Sequence, residues 1–150
     1  MDNQKQWDLD FLKMAYIWGQ RSTCPRLNVG AILVKNREIK SGSYNGAPKG
    51  MPECEEVGCK VNEENHCTRT VHAEENAIIF SDRDDSQGST MYVTHSTCYD
   101  CQKRIINAGI ERIVYSESYK ENYELARKAG IKITHLPLKE KLDKDHFKLT

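Results

Sequence analysis

Two short motifs carry the residue types that make a metal-dependent hydrolytic site. His72-Ala73-Glu74 offers one imidazole and one carboxylate, and Cys98-Tyr99-Asp100-Cys101 offers two thiols. One imidazole and two thiolates are the borderline-soft donors that zinc prefers, and three protein ligands leave the fourth tetrahedral position to water. Glu74, two residues beyond the histidine, can reach a water held there without ligating the metal. Taken alone, a Cys-x-x-Cys is equally a redox pair, and His-Ala-Glu is equally the start of a surface helix. Together they predict a catalytic zinc held by His72, Cys98 and Cys101, with Glu74 as the acid and base.

Four further cysteines remain, Cys24, Cys54, Cys59 and Cys67, with His66 beside the last. Three of them fall in the stretch 45–70, which has no apolar periodicity and is rich in Gly and Pro. So long a connection inside one domain needs something to pin it. A second, closed zinc site is therefore expected, tying the loop to the end of the first helix. Spacing alone leaves open which four residues bind.

The elements that must position these groups follow from hydrophobic period. Phe11, Met14, Ala15 and Trp18 form a helical stripe between Asp8 and Arg21, with Asp8 or Asp10 as the cap. Val29–Lys35 and Arg37–Tyr44 read as an antiparallel hairpin turning at Asn36, the second strand polar enough for a sheet edge. A helix opens at the His72 motif with Ala73, Ala77, Ile78 and Phe80 facing inward, and 82–89 reads as a turn-rich loop. The second half alternates: strand 90–94, helix 98–108, strand at RIVYS, helix 122–129, strand at KITHL. That alternation implies parallel pairing through right-handed crossovers. Thr97 is expected to cap the helix of the cysteine pair through its hydroxyl, placing Cys98 and Cys101 in its first turn, where the dipole favours thiolate.

The chain has 150 residues, enough for one compact domain, with a charged tail at 137–150. Its 22 Lys and Arg balance 22 Asp and Glu, so no bulk field gathers a polyanion, and nucleic acid is not expected as a partner. The first residues show neither a basic nor an apolar leader segment, and no apolar run approaches a membrane span. A soluble, cytoplasmic protein with reduced thiols is expected, with no membrane partner.

The paired motifs resemble the zinc nucleoside and nucleotide deaminases, whose signature is H-x-E followed by P-C-x-x-C. Within them the chain is most similar to the deoxycytidylate (dCMP) deaminases, including the late-competence-operon proteins of bacteria and phage enzymes. The resemblance is carried by RSTCPRLNVGAILVK, GSYNGAPKG, NHCTRTVHAEENAI, MYVTHSTCYDC, INAGIERIVYSESY and KAGIKI, spanning about 21–133. It implies a cytidine-deaminase-like α/β fold, three layers (α/β/α) around a mixed five-stranded sheet. It also implies hydrolytic deamination of dCMP to dUMP and ammonia. The zinc activates water for attack at C4, and Glu74 moves protons to N3 and to the departing amine.

Further residues take roles only through the resemblance. Arg26, Asn28, Asn45, Ala73 and Tyr119 are expected at the substrate, Arg26 toward a phosphate. Asn45, Gly46, Ala47 and Pro48, with Arg83, are expected at an effector site for dCTP as activator and dTTP as inhibitor, Mg2+ accompanying the triphosphate. A hexamer is implied. For the second zinc, Cys24 and Cys54 match family positions best, and Cys59 and Cys67 are favoured over His66 to complete the set. One departure stands out: Thr97 replaces the usual proline. Competing readings are a deaminase of dCTP, cytidine, a modified dCMP or a tRNA adenosine, and a noncatalytic zinc module, which would have no use for Glu74.

Overall fold

In the three central strands the inner residues are buried and mostly apolar, and alternate residues serve opposite faces, as the period of two in a pleated strand requires. The computed structural model describes residues 3–138. Strands β1 (Gly30–Lys35), β2 (Glu38–Tyr44), β3 (Thr90–His95), β4 (Arg112–Glu117) and β5 (Lys132–His135) form one sheet in the order β2-β1-β3-β4-β5. β1 pairs antiparallel with β2 and β3, while β3–β4 and β4–β5 are parallel. The expected mixed five-stranded sheet is therefore present, with the polar β2 at an edge.

Ile32, Val34, Tyr92 and Val114 face α1 (Gln4–Gly19) and pack with its Phe11 and Leu12. Ala31, Leu33, Met91, Val93, Ile113 and Tyr115 face the other way, against Ala73 and Ala77 of α3 (Ala73–Ile79), Ile105 of α5 (Tyr99–Asn107) and Ala126 of α6 (Glu124–Lys128). Helices cover both faces, giving three layers. Two single-turn helices, α2 (Cys54–Val57) and α4 (Arg83–Ser86), lie in segments expected as loops.

Several sequence expectations need correction. α1 begins four residues earlier than Asp8, and its buried stripe is Asp8, Phe11, Leu12, Ala15 and Tyr16, leaving Met14 and Trp18 partly exposed. Asp8 caps nothing. It is buried and accepts from both guanidinium nitrogens of Arg112, at 2.9 and 2.7 Å, and from the Tyr92 hydroxyl. Neither does Asp10, since α1 opens after Asn3. Phe80, expected inside, is 70% exposed at the end of α3. Most of the charged tail at 137–150 lies outside the described residues.

Two positions fix the frame below the site. The hairpin turns on Asn36 and Arg37, both with positive φ (54° and 62°), the two-residue geometry whose twist suits a tight hairpin. Gly30 opens β1 where α1 crosses it, and a Cβ there would lie 1.8 Å from the Ala15 carbonyl oxygen. Only glycine allows that approach.

Candidate functional site

His72 and Cys98 occupy equivalent places, each the residue just before a helix, in extended backbone (ψ 150° and 165°). α3 and α5 pack against each other, so the two helix starts meet. Cys101, one turn into α5, completes the group and is fully buried. His72 Nδ1 lies 3.3 Å from Cys101 Sγ and 3.5 Å from Cys98 Sγ. Zn–N and Zn–S bonds at a tetrahedral angle put nitrogen and sulfur about 3.5 Å apart, so the donor set fits zinc. The residues that would hold it are His72, Cys98 and Cys101.

The charges agree with that use. The Cys98 thiol is brought down to about 4, first by the hydrogen bond from Cys101 and, against its burial, by His72. Cys101 is pushed up by its partner sulfur and by burial. His72 is raised to about 9 by the acceptor Cys98, against burial, with the Glu74 charge adding to it. Glu74 is 5% exposed, and burial raises its carboxyl to about 7, opposed by His72. That value suits a group that must both accept and release a proton near neutrality.

His72, Ala73, Glu74 and Cys98 line a cavity of about 390 Å³ at the carboxyl ends of β3 and β4, within the usual size for a small-molecule site. Of the other residues expected at the substrate, Arg26, Asn45 and Tyr119 line it and Asn28 does not. Asn45 is partly engaged already: its Oδ1 accepts from the Val29 N–H at 2.9 Å and its Nδ2 donates to the Leu27 carbonyl at 2.8 Å. One N–H and one lone pair of the amide remain for a ligand. Arg26 lies at the rim, donating to the Asn65 carbonyl at 3.1 Å.

Sequence reasoning missed part of the wall. Leu27 and Val29 supply apolar surface, and Asn65, Thr70, His95 and Ser96 supply polar groups. The position of His95 and Ser96, between the end of a strand and Cys98, was the available signal. Lys120 was also missed; it ties the rim by donating to the Glu64 carbonyl at 3.0 Å.

Cys24, Cys54, Cys59 and Cys67 converge, with all four sulfurs within 4.8 Å of one another. The Cys24–Cys59 and Cys54–Cys67 separations are 3.8 and 3.6 Å, against about 3.8 Å for two sulfurs on one tetrahedral zinc. His66 is outside the group and lines the cavity instead. Gly46, Ala47 and Pro48 lie outside the cavity wall. Gly46 pairs with Val71, and the Ala47 N–H donates to Glu53. Arg83 donates to the Asn107 carbonyl, at the far end of α5 from Cys98. The expected Thr97 cap is absent: Cys98 takes the cap position, and the Thr97 hydroxyl makes no cap bond.

A three-layer α/β fold whose His72, Cys98 and Cys101 group shares a cavity with a buried glutamate fits a deaminase with a zinc-binding region. Residues 5–117 match the family described as cytidine and deoxycytidylate deaminase zinc-binding region, and the chain belongs to that family. It is 39% identical to ComE operon protein 2 of Bacillus subtilis, over 89% of this chain and 73% of that protein. It is 40% identical to the deoxycytidylate deaminase of Mycobacterium phage D29, over 75% of this chain and 96% of the relative. A crystal structure of the dCMP deaminase of cyanophage S-TIM5 in complex with dCMP and dUMP superposes with a TM-score of 0.75. The two share 29% identity, over 91% of this chain and 99% of the other. Among the described residues no helix is long and apolar enough to cross a membrane.

Proposed function

We propose that the chain, as a single deaminase domain, hydrolyses dCMP to dUMP and ammonia. The observation that carries this reading is the placement of Glu74 in one cavity with His72 and Cys98, with Cys101 closing the donor set behind them. It is supported by the relatives named deoxycytidylate deaminase and by the dCMP and dUMP bound in the cyanophage structure. When bound, zinc supplies a water acidic enough to act as a nucleophile near neutral pH.

The remaining work falls to the chain's own residues. Glu74 takes one proton from the attacking water and passes it to N3 of the pyrimidine, then takes the remaining proton from the oxygen newly bound to C4 and delivers it to the amine, which leaves as ammonia as the C4–N bond breaks. Both positions lie on one edge of the ring, so one carboxyl serves both. Its burial excludes bulk water from that transfer. Asn45 presents its remaining amide hydrogen and lone pair to the nucleoside, Tyr119 borders it, and Arg26 at the rim meets the 5′-phosphate. The four-thiol group holds a second, structural zinc. Control by dCTP and dTTP, with Mg2+ accompanying the triphosphate effector, and hexameric assembly complete the reading through the resemblance.

The test is turnover of dCMP, dCTP, deoxycytidine, cytidine and an RNA adenosine substrate by the zinc-loaded protein, with and without dCTP and dTTP. Preferential release of ammonia from dCMP is expected. Turnover of the RNA alone would overturn the reading.

A further inference from the structure

The cavity has two sides that the chain builds from different places. Glu74 stands in the first turn of α3, whereas Asn45 follows the end of β2, and both line the same space. Asn45 is 6% exposed, and its own groups bind it to the segment leading into β1. Its side chain bonds the Val29 N–H and the Leu27 carbonyl, and its backbone N–H donates to the Val29 carbonyl at 3.3 Å. None of those bonds reaches α3.

The link to α3 runs through the neighbours of Asn45. Asn76, two residues beyond Glu74, donates from Nδ2 to the Tyr44 carbonyl at 3.0 Å. That carbonyl and the Asn45 N–H belong to one peptide group, which is thus tied to α3 at its oxygen and to Val29 at its nitrogen. A peptide group is planar and turns as a unit, so holding both ends fixes the direction in which the chain enters Asn45. On the other side of Asn45, Gly46 and Val71 exchange backbone bonds at 3.3 and 2.8 Å, and Val71 immediately precedes His72. Those bonds are backbone to backbone; Asn76 contributes a side chain. Asparagine is a poor residue inside a helix because its side chain competes for nearby backbone groups. Here that side chain bonds a carbonyl on another element.

We propose that Asn76 is a positioning residue that holds Asn45, and with it the nucleoside, in register with Glu74. This inference rests on the deaminase reading above, in which Asn45 meets the nucleoside and Glu74 carries the protons. Without the Asn76 bond, Asn45 stays attached to Val29 and Leu27, so the nucleotide still binds. Its ring is then no longer set against the carboxyl on α3, and a misplacement of about 1 Å between reacting groups can cost about 10²-fold in rate. The loss therefore falls on kcat rather than on KM.

Asn76→Leu keeps the size and removes the donor; Asn76→Asp keeps the shape and puts an acceptor where the donor was. With dCMP as substrate and zinc loaded, each is expected to lose about tenfold in kcat, with KM within about twofold of the parent and bound zinc unchanged. A double-mutant cycle separates positioning from scaffold. In an Asn45→Ala background, Asn76→Leu should cost no more than about twofold further in kcat/KM, because the group it positions is gone. Parental kcat in both single variants, or a further tenfold loss in the double variant, would overturn the inference while leaving dCMP turnover by the parent intact. Loss of bound zinc or of the folding transition in both single variants would overturn it too, placing Asn76 in the scaffold. Absence of dCMP turnover by the parent would remove the functional reading and this inference together.

Discussion

Replacing Cys54 by alanine removes one sulfur from the four-thiol group without touching His72, Cys98 or Cys101. Cys54 is 2% exposed, and its sulfur lies 3.6 Å from that of Cys67, with a separation of 13 positions along the chain. A metal joining them closes that loop and removes conformational freedom that the unfolded chain would otherwise have. The chain-entropy relation used for cross-links gives about 3 kcal/mol for a loop of this length. In a protein of this size each kcal/mol moves the melting temperature by about 2–4 °C, so a fall of about 6–12 °C is expected. Bound zinc should drop from about two to about one per chain, read by elemental analysis of the purified protein. An unchanged melting temperature together with about one zinc per chain in the parent would refute the argument, because the thiols would then be ordinary buried cysteines.

Three other outcomes follow from the geometry. Glu74→Gln should keep the zinc but lose about 10²–10⁴-fold in kcat, the usual worth of a placed acid and base; full activity would defeat the mechanism. Asp8 is pushed up by burial and pulled further down by Arg112, Tyr92 and Gln4, so its carboxyl sits below the ordinary 3.8. The pair's contribution is fully present above that pH and is lost as pH falls through the lower folded value. Arg112→Met, which leaves the buried carboxylate uncompensated, should cost about 3–5 kcal/mol by urea denaturation at neutral pH. A loss below about 1 kcal/mol would mark the pair as no more than a surface contact. Gly30→Ala must move α1 off β1, since its Cβ would meet the Ala15 carbonyl oxygen at 1.8 Å. Loss of soluble folded protein is expected, and a parental melting curve would contradict the packing described.

The grouping of His72 with Cys98 and Cys101 and the sheet were legible because their signals are local: Cys and His at short spacings beside helix starts, and strands marked by runs of buried apolar residues. What failed depended on contacts distant in sequence. Asp8 looks like a helix cap until Arg112, far along the chain, supplies its partner. Thr97 looks like a cap by type, yet the chain enters α5 one residue later and its hydroxyl turns inward. The long loop hid one readable device. Glu53 and Glu56 form a capping box that starts α2, and Glu53 also accepts from Thr23 and from the Ala47 N–H. A glutamate in the cap place, where Ser, Thr, Asp or Asn is usual, disguised it.

The division of labour between regular and irregular structure predicts how substitutions will sort. The groups proposed for chemistry sit at or near the starts of α3 and α5, packed on the sheet. The rim is built from segments that the four thiols hold: Cys24 and Cys67 line the cavity themselves, Arg26 follows Cys24 by two residues, and His66 precedes Cys67. Arg26 and Lys120 both donate to carbonyls of the 64–65 turn, so the rim is ordered before any nucleotide arrives and less freedom is lost on binding. Substitution of Arg26 by alanine should therefore raise KM for dCMP by about tenfold or more, as loss of a charged hydrogen bond does, with kcat nearly unchanged. The same substitution should leave turnover of unphosphorylated deoxycytidine unaffected. An equal loss on both substrates would place Arg26 in the scaffold rather than at the phosphate.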